Sequence, residues 1–125
     1  MQSEQFIARG IAVGRVAYGV ACMAAPRAML GPSGAQAEGS SVMMARFFGV
    51  RDLVLGGGTF LALQRDPDAA VSWVEWSAAA DALDVGTGLA FRKDLDAAGR
   101  VGIAAIALPA ALGGAWAARR LRAAR

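Results

Sequence analysis

Residues 46–58 read RFFGVRDLVLGGG. Arg51 and Asp52 stand side by side inside an otherwise apolar run that ends in three glycines. Gly49, Asp52 and Gly56 fall at i, i+3 and i+7, on one face of a helix turning about 100° per residue. Small residues flanking an acid let a second backbone approach it. Arg51 lies about 100° round from Asp52, so the two side chains address different neighbours. Such a run predicts a helix inside a membrane bundle, its charges buried against partners on other helices, because unpaired charges in hydrocarbon are expensive.

Working outward, the chain contains four apolar segments, at about 6–25, 42–63, 70–91 and 101–118. Each is close to the roughly 20 residues a helix needs to cross a bilayer. Pro26 stops the first, and the polar, glycine-rich link GPSGAQAEGSS follows. The link QRDPDA separates the second from the third; Pro67 between Asp66 and Asp68 marks a turn and a helix N-cap. The charged link RKDLDAAGR leads to the fourth. Pro109 does not forbid a span there, since neighbouring helices can satisfy the carbonyl it frees. The reading is an all-α protein, an integral membrane four-helix bundle occupying residues 1–125 as one domain. The competing reading is an alanine-rich soluble bundle, but a soluble helix shows a broad polar face and the fourth segment shows none.

Composition agrees. The chain is 56% hydrophobic with mean hydropathy +0.42, above the apolar share of soluble domains. Alanine and glycine are abundant and aromatics scarce, as in helices packed through small residues. There is no histidine, which excludes histidine triads, histidine zinc sites and histidine-ligated haem. Cys22 is the single cysteine, so the chain has no internal disulfide and no thiolate cluster. The Gly56-Gly57-Gly58 run lacks the Lys-Ser/Thr of a P-loop. No metal or cofactor is expected.

Net charge is +3, and Lys93 is the only lysine. The arginines are scattered except for the tail RRLRAAR, which reads as a cytoplasmic flank rather than a nucleic-acid face. The N-terminus lacks the basic region of a cleaved signal peptide. With four spans both termini share a side. That side carries Arg9, Arg65, Arg119, Arg120, Arg122 and Arg125, against Arg27, Arg92, Lys93 and Arg100 on the other. The positive-inside bias places both termini in the cytoplasm, in a bacterial inner membrane, with Trp73, Trp76 and Trp116 at the cytoplasmic interface.

On the third segment Asp81 and Asp84 share a stripe with Trp73, Ser77 and Gly88, while Glu75 points away toward the rim. On the first, Arg15 lies near mid-span beside a Gly10–Gly14 GxxxG pair. Arg15, Arg46 and Arg51 against Asp52, Asp81 and Asp84 give three charges of each sign, so the interior can be neutral. Asp52 is expected to meet Arg15, and Arg51 to meet Asp81 or Asp84. These six residues form either a structural ion-pair network or a polar pocket for a ligand.

The segment RFFGVRDLVLG, the short Arg/Asp turn and the later ADALD resemble a family of small bacterial four-helix membrane proteins, domain of unknown function 4267, DoxX-like in architecture. The resemblance is carried by Arg46, Gly49, Arg51, Asp52, Gly56, Asp81 and Asp84. It implies a four-helix membrane bundle and no particular reaction.

Three functions fit the sequence. The first is a non-catalytic accessory subunit or a binder of a lipid-like molecule. The second is a small membrane enzyme, an isomerase, cyclase or epoxide-opening enzyme, using Asp52, Asp81, Asp84 and Arg51 as acid, base and anion holder. The third is an ion- or proton-coupled carrier. Expected partners are the lipid bilayer, an apolar small molecule and a second copy or larger membrane complex, but no nucleic acid.

Overall fold

A computed structural model of the protein describes residues 3–31 and 38–124. They are helical, with no strand among them. Helix α1 runs Ser3–Ala24 and α2 Pro26–Leu30; α3 covers Gly39–Arg65 and α4 Pro67–Ala90. The last stretch is α5, Ala97–Gly102, then a π-helical turn, Ile103–Ala107, then α6, Leu108–Ala123.

Local chemistry sets these boundaries. Ala25 leaves the helical region before Pro26, where a proline disfavours the α conformation of its predecessor, and Pro26 opens α2 where no N–H is needed. Gly39 starts α3 at φ +48, a conformation open to glycine without steric cost. The α3–α4 connection is a single residue, Asp66. Its carboxylate accepts from the Asp68 and Ala69 N–H groups, both at 3.0 Å, and Pro67 occupies the first turn. This is the N-cap the sequence predicts. Asp96 caps α5 in the same way through Gly99 N–H at 2.7 Å.

The fourth segment differs from the expected uniform helix. It extends from Ala97 to Ala123, and its π turn lies just before Pro109. The wider turn relieves the clash that a proline ring makes with the carbonyl four residues back, here that of Ala105. The other spans also shift by a few residues from 6–25, 42–63 and 70–91, lengthened mainly at their N-terminal ends.

The long helices pack as antiparallel neighbours. Gly19 meets Gly49 while Gly56 meets Ala12, so α1 and α3 run oppositely. Gly58 faces Trp73 while Arg51 faces Asp84, which sets α4 antiparallel to α3. Gly88 meets Ile103 while Gly114 meets Ala78, so the last stretch returns along α4. A cluster of Ala8, Val74, Ala117 and Ala118, backed by Ile7, Leu63 and Leu121, joins α1, α4 and α6.

The buried apolar side chains are alanine, valine and Cys22. Such small residues let backbones approach closely. A Cβ at Gly56 would sit 2.6 Å from the Ala12 carbonyl oxygen and 2.8 Å from the Arg15 Cβ. The Gly10–Gly14 pair takes no part: both glycines are exposed, with nothing within 4 Å of an added Cβ. The seam uses Gly19, Gly49 and Gly56 instead.

Among the described residues, two helical stretches, Ser3–Ala24 and Gly99–Ala123, are long and apolar enough to cross a membrane, with mean hydropathy 1.4 and 1.8. Helices α3 and α4, at 27 and 24 residues, are about 40 and 36 Å long at the helical rise. Their charged residues keep them below the same hydropathy standard.

Gly56→Val is expected to push α1 from α3 and lower stability by about 1–3 kcal/mol or more. Gly10→Ala is expected to leave stability unchanged or raise it by up to about 1 kcal/mol through helix propensity. Thermal unfolding of the purified variants measures both.

Candidate functional site

Arg15 is the centre of the site. It sits on the buried stripe of α1, between Ala12 and Gly19, and is 6% exposed. Its Nη1 donates to Asp52 Oδ1 on α3 at 2.6 Å. Its Nη2 donates to the Ser77 carbonyl on α4 at 2.9 Å and lies 2.5 Å from Asp81 Oδ1. One guanidinium therefore ties three helices together. Gly56 makes this geometry possible, because α3 carries no side chain where the Arg15 Cβ approaches.

Arg51 forms the outer half. Its two terminal nitrogens grip both oxygens of Asp84, at 2.9 and 2.8 Å. This is the bidentate arrangement that suits a planar guanidinium and a carboxylate. A third contact reaches Asp52 Oδ1 at 3.4 Å. The guanidinium also lies 5.4 Å from the centroid of the Phe48 ring, a cation–π contact. The side chains of Arg51 and Asp84 are 34% and 35% exposed, whereas Arg15, Asp52 and Asp81 are buried. Asp52 Oδ1 thus receives both guanidiniums, and the inner and outer halves are one network.

Thr59 and Ser77 continue the polar seam, their hydroxyls 3.2 Å apart. Among the described residues, three buried side-chain atoms have no hydrogen-bond partner: Arg15 Nε, Arg51 Nε and Asp81 Oδ2.

The two expected pairings are present: Asp52 with Arg15, and Arg51 with Asp84 rather than Asp81. Asp81 instead joins Arg15. Arg46 does not belong to the network. It is exposed and makes no ion pair with a described residue. Six residues before Asp52, it points about 240° round the helix, away from α1 and α4. The cluster therefore holds two guanidiniums and three carboxylates, not the balanced three against three. Glu75 lies at the rim as expected, in an ion pair with Arg122 of α6. Sequence reasoning missed the Ser77 carbonyl, the Phe48 ring and the buried Glu4. Main-chain acceptors and ring faces carry no pattern in a sequence, and Glu4 stands before the first apolar segment.

Beside the outer half, an open groove of about 770 Å³ runs between α3 and α4. Val54, Leu55, Trp73, Trp76 and Leu83 line it, and Arg51 is its one charged wall. Compared with known proteins, the chain matches no family model, no curated protein and no solved structure.

Removing one member of a buried pair leaves its mate charged and unpaired, at a cost of about 3–5 kcal/mol. Asp52→Ala is expected to reduce folded yield and thermal midpoint sharply. Adding Arg15→Ala should recover part of the loss. Arg46→Ala should stay within about 0.5 kcal/mol of wild type, as exposed sites do. Denaturation of the four proteins, measured side by side, tests the assignment.

Proposed function

We propose that this protein is a small integral membrane protein of the bacterial inner membrane. Its four long helical stretches form a bundle, and its α3/α4 groove receives an apolar, lipid-like molecule. The function is non-catalytic: ligand binding, or service as an accessory subunit. The observation that carries this reading is an inverted distribution of polarity. Phe6, Phe47, Trp76, Leu83, Leu89 and Ile106 are each at least 60% exposed, while Arg15, Asp52 and Asp81 are buried. Water would penalise such a surface; hydrocarbon solvates it. Soluble monomers rarely carry continuous apolar surface of this extent.

With four spans, both termini lie on the cytoplasmic side, where the arginine excess and Trp73, Trp76 and Trp116 fall. The Glu75–Arg122 pair ties α4 and α6 together at that end. In the groove, Trp73 and Trp76 flank the end nearest the interface and Arg51 stands deeper. An acyl or isoprenoid chain would lie along the apolar wall with the Arg51–Asp84 pair beside it.

A second reading is favoured by the partial exposure of that pair. A membrane enzyme acting on an apolar substrate by proton transfer would use Asp84 and Arg51 at the groove, with Asp52 and Asp81 behind them. Substrate turnover abolished by Asp84→Asn, with folding intact, would select it over simple binding.

The protein is expected to sediment with membranes and to require detergent for extraction. Recovery of folded, monodisperse protein from the cytosol would overturn the proposal. A reporter fused after Arg125 is expected to score as cytoplasmic. Ala80→Trp, which fills the groove, should remove co-purifying lipid detected by native mass spectrometry without lowering the thermal midpoint by more than overpacking of an open groove allows.

A further inference from the structure

We propose that the buried cluster is a proton-binding site, and that Asp81 Oδ2 is the atom that holds the proton. The inference rests on the membrane reading above and adds to it a ligand, the proton, bound away from the lipid groove.

The first observation is the charge count. Two guanidiniums, Arg15 and Arg51, face three carboxylates, Asp52, Asp81 and Asp84. With Arg46 outside the network, the interior is one positive charge short. An unbalanced charge in hydrocarbon is strongly penalised. One proton restores neutrality.

The second observation selects the carboxylate. Asp84 takes two hydrogen bonds from Arg51. Asp52 receives Arg15 and Arg51 together. Asp81 meets Arg15 through Oδ1 alone, and its Oδ2 is buried without a partner. A bare carboxylate oxygen in that position bears full charge with nothing to answer it. The neutral acid loses the charge and leaves only an O–H, a far smaller burial penalty. The step itself is simple: a proton from water joins Oδ2, one O–H bond forms and no other bond breaks.

The groups facing Asp81 are consistent with this. Helix α1 presents Arg15. Helix α3 presents Asp52, which shares the Arg15 guanidinium with Asp81 and has Arg51 on its far side; α4 itself adds Asp84. The buried face of α6 is Ala111, Gly114, Ala117 and Ala118 and brings no titratable group. A metal ion is the other way to supply positive charge, but each carboxylate already has a guanidinium in front of it. Among the described residues no three acidic, histidine or cysteine side chains converge as a metal ion requires. Asp84, one turn further along α4 and about one-third exposed, is the neighbouring acid through which exchange with the outside would pass.

Infrared spectroscopy of the full-length protein in lipid tests this. At neutral pH the wild type should show the carbonyl-stretch band of a protonated carboxylic acid. The band should move in D2O and shift when aspartate is ¹³C-labelled. It should vanish in Asp81→Asn and survive in Asp84→Asn. Because asparagine is a neutral near-isostere of the protonated acid, Asp81→Asn should unfold at the wild-type midpoint, whereas Asp52→Asn should unfold earlier. A wild-type spectrum with no such band until the pH is acidic overturns the proposal. So does a band that persists in Asp81→Asn, or an absent band together with a thermal midpoint that rises with sodium concentration, which would make the ligand a metal cation. If Asp81→Asn does not fold, the ¹³C-labelled wild-type spectrum still decides. Failure of the membrane reading would appear separately, as folded protein in the cytosol.

Discussion

The structure depends on one buried guanidinium. Arg15 reaches Asp52 on α3 and both Asp81 and the Ser77 carbonyl on α4. A flexible apolar side chain in its place would fill space without naming a partner. A guanidinium has donors fixed in a plane, and each must find an acceptor or be left unsatisfied. That requirement fixes how α1 is rotated against both neighbours and how far along them it slides. The seams of alanine and glycine supply proximity; the charges supply register. Buried ion pairs of this kind are weak evidence for stability in themselves, and their best-supported use is in specifying one arrangement among several.

Much of this is legible in the sequence, for physical reasons. The apolar runs gave the helices, and Asp66-Pro67 announced the turn and cap between α3 and α4, because capping is local chemistry. The 100° step from Arg51 to Asp52 implied two different partners, and the pairs with Asp84 and Arg15 form accordingly. What local patterns miss is competition among equivalent candidates. Gly10–Gly14 has the familiar spacing but lies outside; Gly19, Gly49 and Gly56 make the close contacts. The choice is settled by where Arg15 must point, which is a tertiary fact. Arg46 reads as an interior charge from the sequence because depth along a helix is easier to read than rotation about it. The π turn before Pro109 left no sequence signal beyond the proline itself.

The balance between the two halves of the cluster also follows from geometry. The inner half is closed on all sides by α1, α3 and α4. The outer half is partly exposed, and its Arg51 lines a groove walled by Trp73, Trp76 and Leu83. Because Asp52 Oδ1 touches both guanidiniums, a molecule that drew Arg51 away from Asp52 would leave Arg15 as the sole partner of that oxygen. Events in the groove and the electrostatics of the interior are therefore linked through a single atom.

The one-residue connection at Asp66 has a bearing on how the chain assembles. Arg51 and Asp84 are 33 residues apart and belong to adjacent helices of one tight hairpin, so their pair can form as soon as that hairpin does. Arg15 is made earlier, yet its acceptors at Asp52 and Ser77 lie 37 and 62 residues downstream. Asp52 becomes available with α3, but Asp81 and the Ser77 carbonyl only with α4, so the full set of Arg15 contacts needs both helices of the hairpin. The hairpin carries every acidic group that Arg15 meets, so α1 finds its rotation only against α3 and α4 together. The contact that organises the bundle is thus the long-range one, and the hairpin pair the local one.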